Sequence, residues 1–443
     1  MKAAVIGGGV LGLTLAHRLA KLGNQVDLIE AAPGLGGLAG PQQYKDFVWD
    51  RYYHCILPQD TNLISLLEEL GMKDELRWTR TKTGYYAGGR FYSMSGNADY
   101  VRFPLLSILD KARLGVTVLH AVRSAKPLEL YKVTAEEWLT RWCGSRCYKA
   151  FWQPLLKAKF GPYHDQVAAV FIWATLTRLQ GARGAGAKEQ LGYASGGYAR
   201  ILEAFEKKFR ENGVTVRLGA PVTSIDTVAD GKARVAWGGA SAGYAEYSQV
   251  FFTGPTRLAK SVAAPSLQPI VERAEQTYPT STNYLGVACL NLALKRPLTP
   301  YYVLNIADSR VELTGVIEMT NLVNRAHETK GQSLVYLPRY MDSADEAFNG
   351  SDDKLIESLL DRGVRRLFPD LKDSDIVDKQ LHRARYVQPL PLVRHQVVGA
   401  QQPRHQAPLT ILNTSMLECA TLNNNEVVGL VERFVKQNRR ELS

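Results

Sequence analysis

A glycine-rich turn near the start of the chain constrains the fold more than any other sequence feature. Gly7, Gly9 and Gly12 follow an apolar run over residues 3–6. Leucines at helical spacing come next, and a second apolar run ends at Glu30. This order of strand, glycine turn, helix and strand predicts a βαβ unit that binds a dinucleotide.

Each glycine of the turn has a physical task. Gly7 permits the tight turn, Gly9 lets the backbone approach a pyrophosphate, and Gly12 lets helix and strand pack closely. The phosphates then meet the helix N-terminus, where unpaired N–H groups and the helix dipole favour negative charge. At the end of the second strand, the Glu30 carboxylate can accept hydrogen bonds from an adenosine ribose, and it disfavours the 2′-phosphate of NADP.

The composition is that of a large globular protein. The chain has 443 residues, 45% of them apolar and 22% charged, which excludes a disordered or collagen-like protein and predicts two or three domains. The net charge of +11 favours an anionic partner, such as a phosphate-bearing ligand, an acidic membrane surface or nucleic acid. The five cysteines lack the spacing of a disulfide framework or a metal site, so we expect a cytoplasmic location.

A second glycine-rich turn, at Gly36 and Gly37, follows Glu30 by six residues. Such a turn is unexpected in an NAD dehydrogenase. It resembles the segment after the second strand in FAD-binding flavoproteins of the amine oxidase, protoporphyrinogen oxidase and carotenoid desaturase superfamily. In that family the glycine pair lets the chain pass close to the FAD diphosphate, so the resemblance implies FAD as the cofactor.

Three later segments extend the resemblance along nearly the whole chain. Residues 192–225 resemble the family's second FAD segment, which implies that the backbone of Val222 lies against the adenine. Residues 248–255, with Thr253, resemble the strand that returns to the nucleotide, and residues 409–434 resemble the strand and helix that close the FAD domain. The cofactor-binding residues implied in this way are Gly7, Gly9, Val10, Leu11, Gly12, Glu30, Ala31, Gly36, Gly37, Leu38, Val222, Thr253, Asn413, Leu422 and Asn423.

The resemblance and the periodicities together predict an α/β fold, in which a Rossmann-like FAD-binding domain with a mixed sheet carries an inserted α+β substrate domain. The FAD-binding domain is discontinuous and comprises residues 1–95, 190–268 and 400–443. Residues 96–189 have helical periodicity and form a helical insertion at the membrane or at the substrate entry. Residues 269–399 contain alternating apolar stretches, which predict the antiparallel sheet of a substrate-binding domain.

Residues 138–164 combine five basic and seven aromatic residues with no acidic residue. One interpretation is a helical subdomain with an aromatic core and solvated lysines. A second is peripheral contact with an anionic membrane, at its inner face, where aromatic side chains lie at headgroup depth. Several relatives are peripheral membrane proteins that act on lipophilic substrates, which adds to this second interpretation. Stacking of single-stranded nucleic acid is the weakest, and we predict no nucleic-acid partner.

Two residues outside the nucleotide site are candidates for a part in the reaction. The segment of relatives that matches residues 49–54 lies near the flavin, which makes His54 the best acid or base, since its ordinary pKa is near neutrality. A histidine that only caps a loop is an equally good interpretation. Tyr386 lies in a segment that resembles one at the flavin face. Lys295 faces solvent in a strand-to-turn context, so the lysine that many amine oxidases place near the flavin is not recognised here.

The resemblance implies an FAD-dependent oxidoreductase. Its substrate would be a small, lipophilic or amine-like molecule that gives a hydride from a C–H or N–H bond to flavin N5. Residues 50–54 also resemble UDP-galactopyranose mutase, a flavin enzyme that acts on a sugar nucleotide without net redox change. A third hypothesis is a non-catalytic or NAD-binding module.

Overall fold

The protein is built on two large β-sheets and a layer of helices, in a computed structural model. The structure describes residues 1–182, 190–278, 283–394, 403–418 and 421–443. The first sheet begins with the alternating strands and helix near the N-terminus. The second sheet contains the long apolar stretches of the second half of the chain. The predicted α/β fold is confirmed. The sheet on the nucleotide side, predicted to be mixed, is parallel in all its strand pairs, and the mixed sheet is the one on the other side.

The first sheet holds the predicted βαβ unit at its centre. All four of its strand pairs are parallel. In order across the sheet, its strands are Leu409–Ile411, Gln249–Phe252, Lys2–Ile6, Gln25–Ile29 and Thr215–Arg217. Since parallel strands end at the same edge, the glycine turn, the end of the second strand and the residues after Phe252 and Ile411 meet at one edge of the sheet.

Four helices cover this sheet and bury its apolar residues. They are Val10–Lys21, Thr61–Glu69, Gly197–Glu211 and Asn424–Gln437. The helix Val10–Lys21 begins directly after the glycine turn, carries Arg18 and Lys21 in its last turn, and stops where Gly23 takes the left-handed conformation. Basic residues in the last turn stabilise the helix dipole, and a left-handed glycine is a common helix end.

The second sheet has seven strands, and one of its pairs is parallel. The strand Tyr284–Leu294, second in the sheet, is one of the predicted strands, and it is buried along its whole length, whereas alternation by itself predicts burial of one face only. In order, the strands are Ile376–Pro389, Tyr284–Leu294, Ser333–Asp342, Gly315–Glu318, Val303–Ile306, Thr83–Ala87 and Arg90–Ser93. The last two lie within the predicted FAD-binding segment 1–95, yet their backbone hydrogen bonds join them to this second sheet, so that segment ends before Thr83.

A helical layer covers one face of the second sheet. The Thr134 hydroxyl and the Glu137 carboxylate form a capping box at the start of one of its helices, which the sequence pattern T-x-x-E indicates. The helices of the layer are Asn97–Arg102, Ile108–Arg123, Ala135–Cys143, Ser145–Cys147, Gln153–Phe160 and Ala169–Ala182, with a π-helical turn at Tyr148–Trp152. This agrees with the helical periodicity of residues 96–189 as far as they are described.

The seven aromatic side chains of residues 138–164 point into the protein. Four of them are buried in the core between the helical layer and the second sheet, and the other three are half-buried. The buried four are Trp138, Tyr148, Trp152 and Phe160. The burial of the aromatic residues therefore agrees with the first interpretation of this segment, a helical subdomain with an aromatic core.

The remaining elements are small sheets and short helices around the two large sheets. The antiparallel strands are Pro41–Gln43 with Val48–Asp50, Leu76–Arg80 with Gln190–Ala194, and Val222–Thr227 with Ala233–Trp237 and Gly243–Tyr247. The other α-helices are Thr256–Val262, Gln268–Thr277, Arg325–Glu328, Asp352–Leu359, Arg365–Leu367 and Arg439–Leu442. Within the described part of the chain, every helix is too short or too polar to cross a membrane.

Candidate active site

The first glycine turn adopts a shape that side chains would prevent. Gly7 has a φ of +111°, which favours glycine, and a Cβ there would come within 2.5 Å of the Thr253 hydroxyl. A Cβ on Gly12 would overlap with the carbonyl oxygen of Gly7. These two glycines are therefore required by the protein itself, whether or not a ligand is present.

Gly9 differs from its two neighbours, because a Cβ there would meet no protein atom within 4 Å. The open space lies in front of the helix Val10–Lys21, whose first turn carries no acidic residue. Val10 and Leu11 line the same cavity. The N–H groups at this helix N-terminus can bind a diphosphate, because the space beside Gly9 is open and the first turn of the helix has no carboxylate to repel it.

The second glycine turn packs directly on the first. Gly36 and Gly37 both have positive φ, +108° and +57°, and the Gly36 N–H donates to the Gly8 carbonyl oxygen over 2.8 Å. Gly36 and Leu38 line the cavity beside Gly9. Two glycine turns, separated in sequence, thus form one backbone surface at the edge of the parallel sheet.

Glu30 lies beside this surface and holds the turn in place. Its carboxylate accepts hydrogen bonds from the N–H of Gly8 and, over 2.7 Å, from the N–H of Ala32, while Ala31 lies exposed between them. The Ala220 N–H donates to the Glu30 carbonyl oxygen over 2.9 Å, which brings the start of strand Val222–Thr227 to the same end of the site. This is the end at which the resemblance implies the adenosine.

The other end of the nucleotide site is formed by the closing segments. Thr253 donates to the Ile6 carbonyl oxygen over 2.8 Å. Asn413 is buried, and its amide donates to the Gly254 carbonyl oxygen and accepts from the Ser415 N–H, both over 3.1 Å. Its side chain is thus occupied within the protein, and Asn413 positions its neighbours instead of facing the cavity.

Asn423 caps the last long helix, since its side chain accepts from the N–H of Glu426 over 3.0 Å. Asn423 and Leu422 both line the cavity. The helix that the resemblance implies at the flavin therefore begins at the cavity wall.

All these segments surround one cavity of about 510 Å³. Of the predicted residues, eleven line it: Gly7, Gly9, Val10, Leu11, Gly36, Leu38, His54, Thr253, Tyr386, Leu422 and Asn423. The other six lie behind the lining or beyond it: Gly12, Glu30, Ala31, Gly37, Val222 and Asn413. The cavity continues past the parallel sheet to the second sheet, so the nucleotide site and a second pocket share one space.

His54 lines the cavity, on the loop that follows strand Val48–Asp50. Its Nδ1 is 3.6 Å from the Asp50 carboxylate, too far for a hydrogen bond but close enough for electrostatic attraction. Its ring lies against Tyr198, with the ring centres 4.7 Å apart. Asp50 is itself buried and accepts from the Tyr198 N–H over 2.7 Å, so one carboxylate orients both the histidine and the helix behind it.

Aromatic residues line the second pocket. Tyr386 lies on strand Ile376–Pro389, and its ring centre is 5.8 Å from that of Tyr284. The hydroxyl oxygens of Tyr53 and Tyr340 are 3.3 Å apart. Burial raises the pKa of both these phenols, so they remain neutral at physiological pH.

Sequence reasoning missed Lys159, which lines this pocket. The residue was interpreted as one of the solvated lysines of residues 138–164. It lies on helix Gln153–Phe160, and its Nζ is 4.8 Å from the Phe171 ring centre and 5.3 Å from that of Tyr340. Phe171 and Tyr340 are distant from Lys159 in the sequence, so no local sequence signal could have revealed these two contacts. Lys295, by contrast, is exposed, as expected.

The two-turn nucleotide site on a parallel sheet, joined to an aromatic pocket on a mixed sheet, defines a dinucleotide-binding flavoprotein of two-domain type. Residues 12–406 match the sequence profile of the flavin-containing amine oxidoreductases. The chain belongs to this family, and FAD is its cofactor. It is accordingly an FAD-dependent oxidoreductase, and the resemblance recognised in the sequence is confirmed.

Solved structures of several flavoproteins have the same fold. One is a candidate protoporphyrinogen oxidase from Exiguobacterium, with 17% identity, 98% coverage of both chains and a TM-score of 0.73. A putrescine oxidase bound to putrescine has 16% identity, 98% coverage of both chains and a TM-score of 0.70. Reduced UDP-galactopyranose mutase has 16% identity, coverage of 98% of this chain and 95% of that one, and a TM-score of 0.69. A search of curated proteins found no match. At these identities the solved structures support the fold alone.

Proposed function

We propose that the protein oxidises a small, largely apolar molecule in the tyrosine-lined pocket, by removal of a hydride from a C–H or N–H bond. The observation that carries this proposal is the single cavity, which joins the glycine surface to the second pocket without a wall between them. When bound, FAD supplies the two-electron acceptor. The cofactor-facing residues we propose are the predicted ones that line the cavity, among them Gly9, Gly36 and Asn423.

The chain's own side chains position the substrate and handle its proton. Tyr53, Tyr340 and Tyr386 provide flat apolar walls, which exclude water and orient a flat or apolar body. The Asp50 carboxylate faces Nδ1 of His54, so Nε2 is the nitrogen left to take or give a proton in the cavity. His54 is therefore the acid or base of the proposed reaction.

A second candidate is a mutase that acts on a sugar nucleotide without net redox change. The fold shared with UDP-galactopyranose mutase and the absence of aspartate and glutamate among the described cavity-lining residues favour it, because a nucleotide diphosphate is repelled by carboxylates.

The test first identifies the cofactor and then follows the absorbance of the bound flavin. The cofactor released from purified protein is identified by mass, and the flavin-loaded protein is then mixed anaerobically with lipophilic polyenes, amines and other candidate reductants. Bleaching by one of them supports the oxidase. If none bleaches the protein, and the reduced protein instead converts a sugar nucleotide, the mutase is the correct assignment.

We also propose contact with an anionic membrane, through an apolar stripe on helix Ile108–Arg123. The large apolar side chains of this stripe recur at helical spacing on one side of the helix and are exposed: Ile108 by 86%, Leu109 by 66%, and Val116 and Leu119 by 52% each. The opposite side of the helix packs on the protein. Exposed apolar residues on one side of a surface helix are typical of a docking surface.

The charges around the stripe select an anionic membrane as its occupant. Residues 101–126 contain five basic residues and a single acidic one, and that acid, Asp110, is buried. Lysine and arginine beside apolar residues that enter the interface are the pattern of a helix that binds acidic lipid. The buried aromatics of residues 138–164 lie behind this helix, so the membrane contact shifts from that segment to the stripe.

Sedimentation with vesicles tests this contact. The protein should pellet with phosphatidylglycerol vesicles, less so at high salt, and not with phosphatidylcholine vesicles. Leu119→Glu should abolish pelleting, while Tyr244→Glu, which changes an exposed residue on strand Gly243–Tyr247 outside the stripe, should not. A concentration-dependent dimer that Leu119→Glu disrupts, without vesicle binding, would show instead that the stripe binds a second copy.

A further inference from the structure

The second pocket contains one charge that the proposed reaction does not use. Lys159 is the only lysine, arginine, aspartate or glutamate among the described residues that line the cavity. A charged ammonium in an otherwise aromatic and hydroxyl-lined pocket is costly unless it meets an opposite charge or acceptors. The surroundings of Lys159 therefore indicate what it is for.

The described neighbours of Lys159 Nζ are aromatic rings. Its Nζ lies 4.8 Å from the ring centre of Phe171, 5.3 Å from that of Tyr340 and 5.7 Å from that of Phe160. Ring faces attract a cation but accept its N–H groups only weakly. They hold the ammonium in place and leave its three donors available.

No carboxylate of the described residues lies within ion-pair distance of Lys159. Burial alone lowers its pKa to about 8, with no contribution from another charged group. At neutral pH the side chain is therefore still mostly protonated and lacks a counter-charge in the protein. The residue faces the cavity, where a ligand can provide one.

We infer that Lys159 binds an anionic group of the substrate, a carboxylate or a phosphate, carried on an apolar or aromatic body that fills the tyrosine-lined part of the cavity. This inference rests on the proposed function, since it places the substrate in the same pocket. It makes a simple amine a poor substrate, because a protonated amine would meet the positive charge of Lys159 with no described carboxylate lining the cavity to balance it.

Four probes that share a benzene ring and differ in charge test the inference. Benzoate, phenyl phosphate, benzyl alcohol and benzylamine are titrated into the FAD-loaded protein at pH 7 by calorimetry. At least one anion should bind about tenfold or more tightly than the alcohol and the amine, and a comparison of the two anions tells carboxylate from phosphate. Equal binding of all four, or no binding of either anion, overturns the inference.

Substitutions assign the preference to one side chain. Lys159→Met, which keeps the length and removes the charge, should lose the anion preference by about tenfold or more, and Lys159→Arg should retain part of it. Lys157→Met is the matched control, because Lys157 is exposed on the same helix, and it should bind the probes like the wild type. An unchanged preference in Lys159→Met overturns the inference.

The flavin content of each variant separates this inference from the proposed function. Lys159→Met should retain FAD fully; if it loses FAD, Lys159 binds a cofactor phosphate and the inference is wrong. A wild-type protein that never takes up FAD contradicts the proposed function and the inference together. A yellow protein without an anion preference contradicts the inference alone.

Discussion

The two parts of the cavity are built in different ways. The nucleotide part is a backbone surface, formed by two glycine turns and a helix N-terminus, with Glu30 bonded to the turn. The substrate part is formed by side chains, the tyrosines, His54 and Lys159, which come from four distant segments: a loop, a helix and two strands of the second sheet. A backbone surface needs short, contiguous sequence motifs, whereas a side-chain surface needs only that the fold bring the residues together.

This difference predicts that substitutions in the two parts will fail in different ways. Changes in the nucleotide part should affect folding or FAD retention. Changes in the substrate part should leave FAD bound and alter rate, binding or pH dependence. The following predictions run from the largest expected effect to the smallest.

Gly12→Ala should have the largest effect, because the new Cβ would overlap with the Gly7 carbonyl oxygen. The turn must then move away from the sheet. We expect loss of FAD and a decrease of about 3 kcal/mol in the free energy of unfolding, measured by urea denaturation. A variant with wild-type stability and full flavin content would show that the turn is more adaptable than its packing indicates.

Gly9→Val should abolish FAD binding without comparable damage to the fold. Protein atoms leave the space around a Gly9 Cβ open, so the valine would occupy the space through which the diphosphate approaches. We expect about a hundredfold weaker FAD binding and a loss of stability of only about 1 kcal/mol, from flavin titration and urea denaturation of the apoprotein. A stability loss as large as that of Gly12→Ala would show that the fold itself needs a glycine at position 9, and not only the bound cofactor.

His54→Ala should lower turnover by about a hundredfold, in the range for loss of a general acid or base, while FAD remains bound. The assay uses whichever substrate bleaches the flavin. His327→Ala is the control, because that histidine is 73% exposed and outside the cavity. Equal rates for wild type and His54→Ala would leave His54 as a purely structural residue beside Asp50.

Lys159→Met should stabilise the FAD-loaded protein at pH 7, by about 1 to 3 kcal/mol. The pKa of Lys159 is lowered from 10.5 to about 8 by burial, so the unfolded state binds the proton more tightly. This destabilises the wild type fully below pH 8, and the penalty disappears as the pH rises from 8 to 10.5.

The advantage of Lys159→Met should therefore shrink over that pH range in urea denaturation. Burial also raises the pKa of Tyr340, the tyrosine beside Lys159, which moves the ionisation of that phenol to higher pH. A constant difference between the two proteins from pH 7 to 10 would show that Lys159 is not desolvated in solution.

The sequence predicted the nucleotide part in detail but not the substrate part. The strand, turn and helix around Gly7–Gly12 follow local rules of spacing, the resemblance implies a strand within residues 248–255, and the structure has these elements. The domain limit at residue 95 could not be found in this way, because Thr83–Ala87 pairs with a strand more than 200 residues further along the chain.

Asn413 and Lys159 show the same limit at the level of side chains. Asn413 was predicted at the cofactor, but its amide bonds with Gly254 and Ser415. One interpretation of residues 138–164 predicts Lys159 in solvent, but the rings of Phe171 and Tyr340 lie against it. In both cases the partners that decide the role come from other elements of the fold or from the detailed course of a loop.

By itself, the sequence determined where this chain binds a dinucleotide. A phosphate is bound by backbone N–H groups, and their arrangement depends on a few glycines close together in the sequence. Only the tertiary structure decided what surrounds the substrate pocket and which charge faces into it. That pocket exists because a helix, a loop and strands of the second sheet pack against one another, and such packing depends on contacts between residues that lie far apart in the chain.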